Sequence, residues 1–281
     1  MASSVSSPVS ASERRVLNVA LLGASGRMGC SIVPLLAQAA DLRLSGALAA
    51  PGDRSIGQDA GVVAGSAPLA VAVTSDASKA LARAQVAIDF TRSAVSVANA
   101  RLCRELGCAM VIGTTGHDAG ESAELERVAT VVPVVLAPNM SLGVNLLFKL
   151  AELAARALDA DYDIEILEAH HRNKVDAPSG TALGLGRAAA RGRGASLDDV
   201  AEYVRHGQTG VRERGRIGFS VVRGGDIVGE HRLIFAGPGE QVELGHRAQD
   251  RSSFARGALV AARWVVGRPP GLYSMADVLG L

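Results

Sequence analysis

Short apolar runs alternate with segments of helical spacing through the first half of the chain. Residues 16–22 form such a run; it ends at a glycine-rich turn, after which Ile32, Val33, Leu35 and Leu36 recur at helical spacing. The pattern predicts strand, turn, helix. Residues 42–48, 69–73, 86–90, 110–112 and 131–136 are further strand-like runs, most of them separated by Ala-rich stretches long enough for helices. Such alternation predicts a parallel sheet wrapped by helices, an α/β unit. Residues 142–158 then predict a longer amphipathic helix, so a second unit is expected to begin just after Asn139.

From Arg216 the period changes. Ile217, Phe219 and Val221 alternate with small or polar residues, Gly224-Gly225 offers a two-residue turn, and a second run reaches Phe235. This predicts an antiparallel hairpin. A further turn at residues 237–240 precedes Val242 and Leu244, extending a meander one of whose faces needs a helix or a second subunit to cover it. Residues 254–266 return to helical spacing, and the chain is expected to close with Pro269-Pro270 and a short tail.

Composition narrows the field of functions. At roughly 150 residues per domain, 281 residues imply about two domains with a sizeable core. A net charge of +1 and 3% aromatic residues supply neither the field nor the stacking surface for nucleic acid, so the ligand is expected to be small. Cys30, Cys103 and Cys108 have no metal-binding or disulfide spacing and read as reduced packing residues; no metal is expected. The stretch 1–13 is rich in Ser and Ala and lacks the basic and apolar regions of a signal peptide, so a disordered tail is expected. The most apolar window, residues 128–137, is too short and too interrupted for a membrane span; a soluble, cytoplasmic protein without membrane partners is expected.

Candidate chemistry begins at GASGRMG, where Gly23, Gly26 and Gly29 follow the first strand and open the first helix. Glycines let backbone approach a pyrophosphate, and the helix N-terminus favours an anion. The spacing is GxxGxxG rather than GxGxxG, and a merely tight turn is the plain alternative. Where a dinucleotide fold usually carries an acid for the adenosine ribose, this chain reads Leu48-Ala49-Ala50, with Asp53 and Arg54 shortly after. Arg27 is a candidate for the adenosine phosphate, or else a solvated arginine at a helix start. Gly113-Thr114-Thr115-Gly116 and Ala137-Pro138-Asn139-Met140 each follow a strand at the same sheet edge, as walls of a nicotinamide pocket would.

The densest chemistry runs from Glu168 to Thr181. His170 and His171 stand side by side, Lys174 follows three and four positions on, and Ser179 is placed to cap a helix whose first turn holds Gly180 and Thr181. A helix start beside a lysine and two histidines is a site for an anionic substrate with proton donors at hand. A solvated basic loop with an ordinary cap is the alternative.

GASGRMG, IDFTR (88–92), GTTG, APNMSLGVN (137–145), EAHHRNKVDAPSGTA and GFSVVRGGDIVGEH together resemble the 4-hydroxy-tetrahydrodipicolinate reductases, formerly called dihydrodipicolinate reductases, from about Asn18 to the closing GLYSMADVLGL. The resemblance implies a Rossmann-like nucleotide-binding domain and a second α+β domain with a largely antiparallel or mixed open sheet. It implies residues 14–139 with 252–281 for the first and 140–251 for the second. It further implies a homotetramer that uses NADH or NADPH to reduce a cyclic dicarboxylic imine in diaminopimelate and lysine biosynthesis, with loss of water. By resemblance His170 is proton donor or acceptor and Lys174 proton donor. His171, Gly180 and Thr181 bind substrate carboxylate by the same resemblance, at the anion site expected where Ser179 caps the helix. Gly23, Ala24, Ser25, Gly26, Arg27 and Met28 carry the cofactor with Gly113, Thr114, Thr115, Ala137, Pro138, Asn139 and Met140. Arg92 matches a position near the adenosine end. Ala49-Ala50 departs from the acid-Arg pair of many relatives, so dual cofactor use is expected, leaning modestly to NADPH through Arg27 and Arg54. A paralogous reductase of another small carboxylated imine or carbonyl compound, and a non-catalytic nucleotide-binding regulator, are the competing readings.

Overall fold

The computed structural model describes residues 16–281; the tail expected over residues 1–13 lies outside them. The chain opens with β1 (Leu17–Leu22), α1 (Arg27–Gln38), β2 (Leu42–Leu48), α2 (Ala60–Val63), β3 (Val73–Thr74) and α3 (Ala77–Leu81). It continues with β4 (Val86–Asp89), α4 (Ser93–Leu106), β5 (Ala109–Ile112), α5 (Ala119–Ala129) and β6 (Pro133–Leu136). Next come α6 (Leu142–Ala157), β7 (Asp163–His170), α7 (Gly180–Gly192), α8 (Leu197–Val200), β8 (Ala201–Glu202), β9 (Ile217–Arg223), β10 (Gly229–Gly237) and β11 (Glu240–Ala248). The last elements are α9 (Ser252–Val265), β12 (Gly271–Tyr273) and α10 (Met275–Leu279).

Seven strands form one sheet in the order β12-β6-β5-β4-β1-β2-β3, parallel at every pair. All residues of β4 and β5 are buried, as strands covered by helices on both faces must be. One face packs Val19, Leu21 and Ile88 against α1 and α9, and the other packs Ala20, Leu22 and Met110 against α3, α4 and α5. Strand order reverses at β1, and the glycine turn leaves its C-terminal end there. Sheets of this kind bind ligands at that reversal.

The second sheet is mixed, in the order β11-β10-β7-β9-β8, antiparallel across β11-β10-β7 and parallel across β7-β9-β8. Ile164, Ile166, Ile217, Phe219, Leu233 and Phe235 bury one face under residues of α6 and α7. On the other face Ser220, Val222, Arg232 and Glu243 are exposed. No described helix is long and apolar enough to cross a membrane.

Three local expectations are corrected. Residues 217–223 and 229–237 do not pair as a hairpin, because β7 lies between them. The Gly224-Gly225 turn hydrogen-bonds instead to the end of β7: Gly224 donates to the His170 carbonyl, and Arg172 donates to that of Gly225. Residues 69–73 contribute little strand, since the Asp59 carboxylate takes the N–H groups of Leu69 and Val71 and only Val73 and Thr74 pair with β2. The closing tail is ordered as β12, which extends the first sheet beside β6, and as α10, held by a Ser274/Asp277 capping box.

Candidate active site

Alternation along β7 sets Ile164, Ile166, Glu168 and His170 on one face. Register places Glu168 opposite His231 of β10 and Val221 of β9, His231 opposite His246 of β11, and His170 opposite Arg223. One step of two residues therefore turns the face from Ile166, Phe219 and Leu233 to Glu168, Val221 and His231. The apolar core ends there and a polar layer begins.

Two helix starts meet that layer. Ser179 caps α7, its Oγ accepting from Ala182 N at 3.1 Å and lying 3.1 Å from His231 Nε2. Ser141 caps α6, and at Gly143 a Cβ would stand 3.0 Å from the His246 ring. The positive ends of two helix dipoles thus face the site, an arrangement suited to anionic ligands.

At the centre lies Glu168, only 2% exposed. Its oxygens accept from His170 Nδ1 at 2.6 Å, Arg223 Nη1 at 2.7 Å, Arg223 Nη2 at 2.8 Å and Ser179 N at 2.9 Å. Burial opposes its ionisation, but Arg223, His170 and Ser179 outweigh it and hold the carboxyl below the usual range. Arg223 also donates to the Asp176 carbonyl at 2.6 Å, tying the loop to β9. In that loop Lys174 Nζ donates to both Asp176 oxygens at 2.7 and 2.8 Å, which pulls the Asp176 carboxyl down. Burial lowers the pKa of His170, with Glu168 pulling the other way. The edge-on neighbour of His170, His231, has its centroid 5.1 Å away; burial pushes its pKa down to about 4, with His170 acting in the same direction.

The glycine turn fits a dinucleotide. Gly23, at φ +87°, leaves no room for a Cβ, which would stand 2.5 Å from the Phe90 carbonyl, and at Gly29 a Cβ would meet the Ala24 carbonyl at 2.3 Å. Backbone therefore closes tightly around the loop, and α1 starts at the sheet reversal with Gly26 as its N-cap and no side chain capping its first turn. Ser25 Oγ donates to Asp53 Oδ2 at 2.8 Å. Thr114 is held by the fully buried Asp89, whose Oδ1 accepts from Thr114 Oγ1 at 2.6 Å and Thr91 Oγ1 at 2.7 Å, while Oδ2 accepts from Asn99. Gly113 is required by the Phe90 ring, 2.1 Å from where a Cβ would be.

Asn139 joins the two halves. Its Nδ2 donates to Thr181 Oγ1 at 3.1 Å and its Oδ1 accepts from Ser141 N at 2.8 Å. The buried Met140 next to it contacts α9 at Gly257. Arg27 shares a cleft of about 690 Å³ with His171, Arg172, Asn173, Gly225, Asp226 and Arg251, so the glycine turn and the histidine loop face one another. Ala24 is buried and Met28 half-buried beside the turn. Arg92 at the N-cap of α4, Thr115, Pro138 and Gly180 are exposed. Sequence reasoning gave no role to Glu168, Asp176, Arg223, His231 or Asp89, although each stands in a quoted motif, and it missed Arg251 altogether.

A parallel sheet with a glycine turn at its reversal, facing a histidine and lysine loop carried by a mixed sheet, defines a two-domain nucleotide-dependent oxidoreductase. Family profiles described as "Dihydrodipicolinate reductase, N-terminus" and "Dihydrodipicolinate reductase, C-terminus" match residues 17–140 and 143–279, and the chain belongs to that family. It is 52% identical over 265 residues to the 4-hydroxy-tetrahydrodipicolinate reductase of Nitrosomonas europaea, covering 94% of this chain and 98% of that one. With the same enzyme of Thiobacillus denitrificans it shares 55% over 265 residues, 94% and 99% of the two chains. The dipicolinate-bound dihydrodipicolinate reductase from Paenisporosarcina sp. TG-14 has the same fold, with a TM-score of 0.75 at 24% identity over 93% of this chain and 98% of that one.

Proposed function

We propose that this protein reduces 4-hydroxy-tetrahydrodipicolinate to tetrahydrodipicolinate, with loss of water and at the expense of NADH or NADPH, in diaminopimelate and lysine biosynthesis. Identity of 52–55% across 94% of the chain to reductases of that name carries this reading. The nicotinamide cofactor supplies the hydride when bound. In this reading Gly23 to Met28 hold the pyrophosphate, while Gly113, Thr114, Thr115, Ala137, Pro138, Asn139 and Met140 wall the nicotinamide and Arg92 serves the adenosine end. His171, Ser179, Gly180 and Thr181 take substrate carboxylate at the start of α7. Lys174, released from Asp176 as the substrate carboxylate arrives, donates a proton, and His170 exchanges one.

Residues 14–139 with 252–281 form the nucleotide domain in this reading, and 140–251 the substrate and assembly domain. The support is that β12 and α9 pack with the first sheet. A homotetramer would cover the open face of the second sheet, which carries the exposed Val222 with Arg232 and Glu243.

Turnover of the imine, generated in place by the synthase that makes it, tests the reading with NADH and NADPH in turn. His170→Ala and Lys174→Ala should each lower turnover about 10²- to 10⁴-fold, the usual cost of a lost proton donor, with nucleotide affinity little changed. A folded, nucleotide-binding protein inert toward this imine would favour a paralogous reductase if it turned over another imine or carbonyl compound, and a non-catalytic regulator if it turned over none.

A further inference from the structure

Arg223, Glu168 and His170 meet from two strands, and the meeting has a consequence for the chemistry. Glu168 Oε2 lies 2.6 Å from His170 Nδ1, and its two oxygens also receive the Arg223 guanidinium in a two-pronged pair and the first N–H of the α7 cap. All four contacts donate to the carboxylate. An ionised carboxylate can only accept, so the proton between it and the imidazole belongs to Nδ1, and Nε2 is the ring atom left to exchange a proton. Nε2 is directed toward Gly229, where a Cβ would stand 3.1 Å away, and His231 packs edge-on against the ring. The ring is thereby fixed from its own strand and from β10.

We propose that Glu168 is the positioning residue of the site, fixing the tautomer and orientation of His170, and that Arg223 locks this carboxylate to the loop carrying Lys174. The proposal rests on the proton-exchanging role read for His170 above. The charged and titratable groups facing the ring are Glu168 from its own strand, Lys174 from the loop, Arg223 from β9 and His231 from β10. Of these only Glu168 favours the imidazolium. Replacing it with a neutral isostere leaves the cations and the burial unopposed.

The experiment follows the imidazole nitrogens of His170 by NMR in the full chain, wild type and Glu168→Gln, beside the pH dependence of kcat. In the wild type the neutral ring should carry its proton on Nδ1. In Glu168→Gln its titration midpoint should fall further, by at least half a pH unit, and the limb of the kcat profile that it governs should fall with it. At the optimum kcat should drop about 10- to 100-fold, the scale on which partners of a functional histidine act, while the Kd for NADH changes less than twofold. Unfolding would move the midpoint the other way, toward the ordinary value of a free histidine, so a failed fold cannot imitate the result. A wild-type ring protonated on Nε2, or an unmoved midpoint in the folded variant, overturns the proposal. So does an unchanged kcat in Glu168→Gln when His170→Ala is inactive. If the ring behaves as stated but His170→Ala turns over normally, the reading of His170 fails and the placement of its proton stands.

Discussion

Asp53 shows how much one carboxylate can decide. Its Oδ1 takes the N–H and hydroxyl of Ser55 at 2.8 and 2.7 Å, its Oδ2 takes the Ser25 hydroxyl, and these bonds, the Ser55 N–H foremost, hold it below the usual carboxylate range. A fixed negative charge therefore stands against the glycine turn, just beyond β2, where dinucleotide folds hold the adenosine ribose. A carboxylate so placed would accept from a free 2'-hydroxyl and would repel a 2'-phosphate. Of the two arginines on which the expected lean toward NADPH rested, Arg27 lines the cleft with His171, while Arg54 lines the cleft of Asp53 and Ser25. We therefore expect both nucleotides to bind, and Asp53→Asn to move the ratio of the two Kd values about fivefold toward NADPH, as befits an exposed charge. Titration at one ionic strength reads this directly, and an unmoved ratio would place the ribose elsewhere. The reach of Asp53 to Ser25 could not be read from the chain, for the partners are 28 residues apart. Glu168 and Arg223, 55 apart, were silent for the same reason. His170, Lys174 and Ser179 could be singled out as candidates because their chemistry is crowded into one short stretch.

At the scale of elements, periodicity located most strands and helices but not which strands would be neighbours. Ile217, Phe219 and Val221 alternate whether they pair with β10 or with β7, so the hairpin and the observed parallel pairing read alike. What decides between them is the Gly224-Gly225 turn binding the backbone after β7. The approach of α9 to the loop after β6 was equally invisible. At Gly257 a Cβ would stand 1.7 Å from the Met140 carbonyl, so helix and loop touch backbone to backbone. Gly257→Ala must push the two apart, at a cost of about 1–3 kcal/mol typical of overpacking. Because Met140 adjoins Asn139, which holds Thr181, the displacement should weaken nucleotide and substrate binding together. Urea unfolding and NADH titration check both effects; a variant with unchanged stability would mean that α9 can shift without strain.

The whole molecule carries its polar layer between a core and a cleft, and that position makes its stability depend on pH. His231 is 6% exposed, and burial brings its pKa from 6.5 to about 4, with His170 adding to the effect. In the unfolded chain the same ring titrates near its ordinary value. Between these two values the unfolded state binds a proton that the folded state refuses, so stability falls as pH drops from above 6.5 toward 4. From pH 7 to pH 5 the loss from His231 alone is about 2 kcal/mol, because each tenfold difference in proton affinity between the two states is worth about 1.4 kcal/mol. His170 and His246 are displaced in the same direction by burial and add to it. The carboxylates of Glu168 and Asp176 lose their stabilising contribution at lower pH, as they take up protons below their ordinary values. Acid should therefore loosen the site before it unfolds the parallel sheet, whose described core contains no histidine. Urea midpoints at pH 7 and pH 5 measure the loss, and His231→Gln, which has no proton to gain, should remove a large part of it. An equal loss in both proteins would show that the ring protonates freely within the fold.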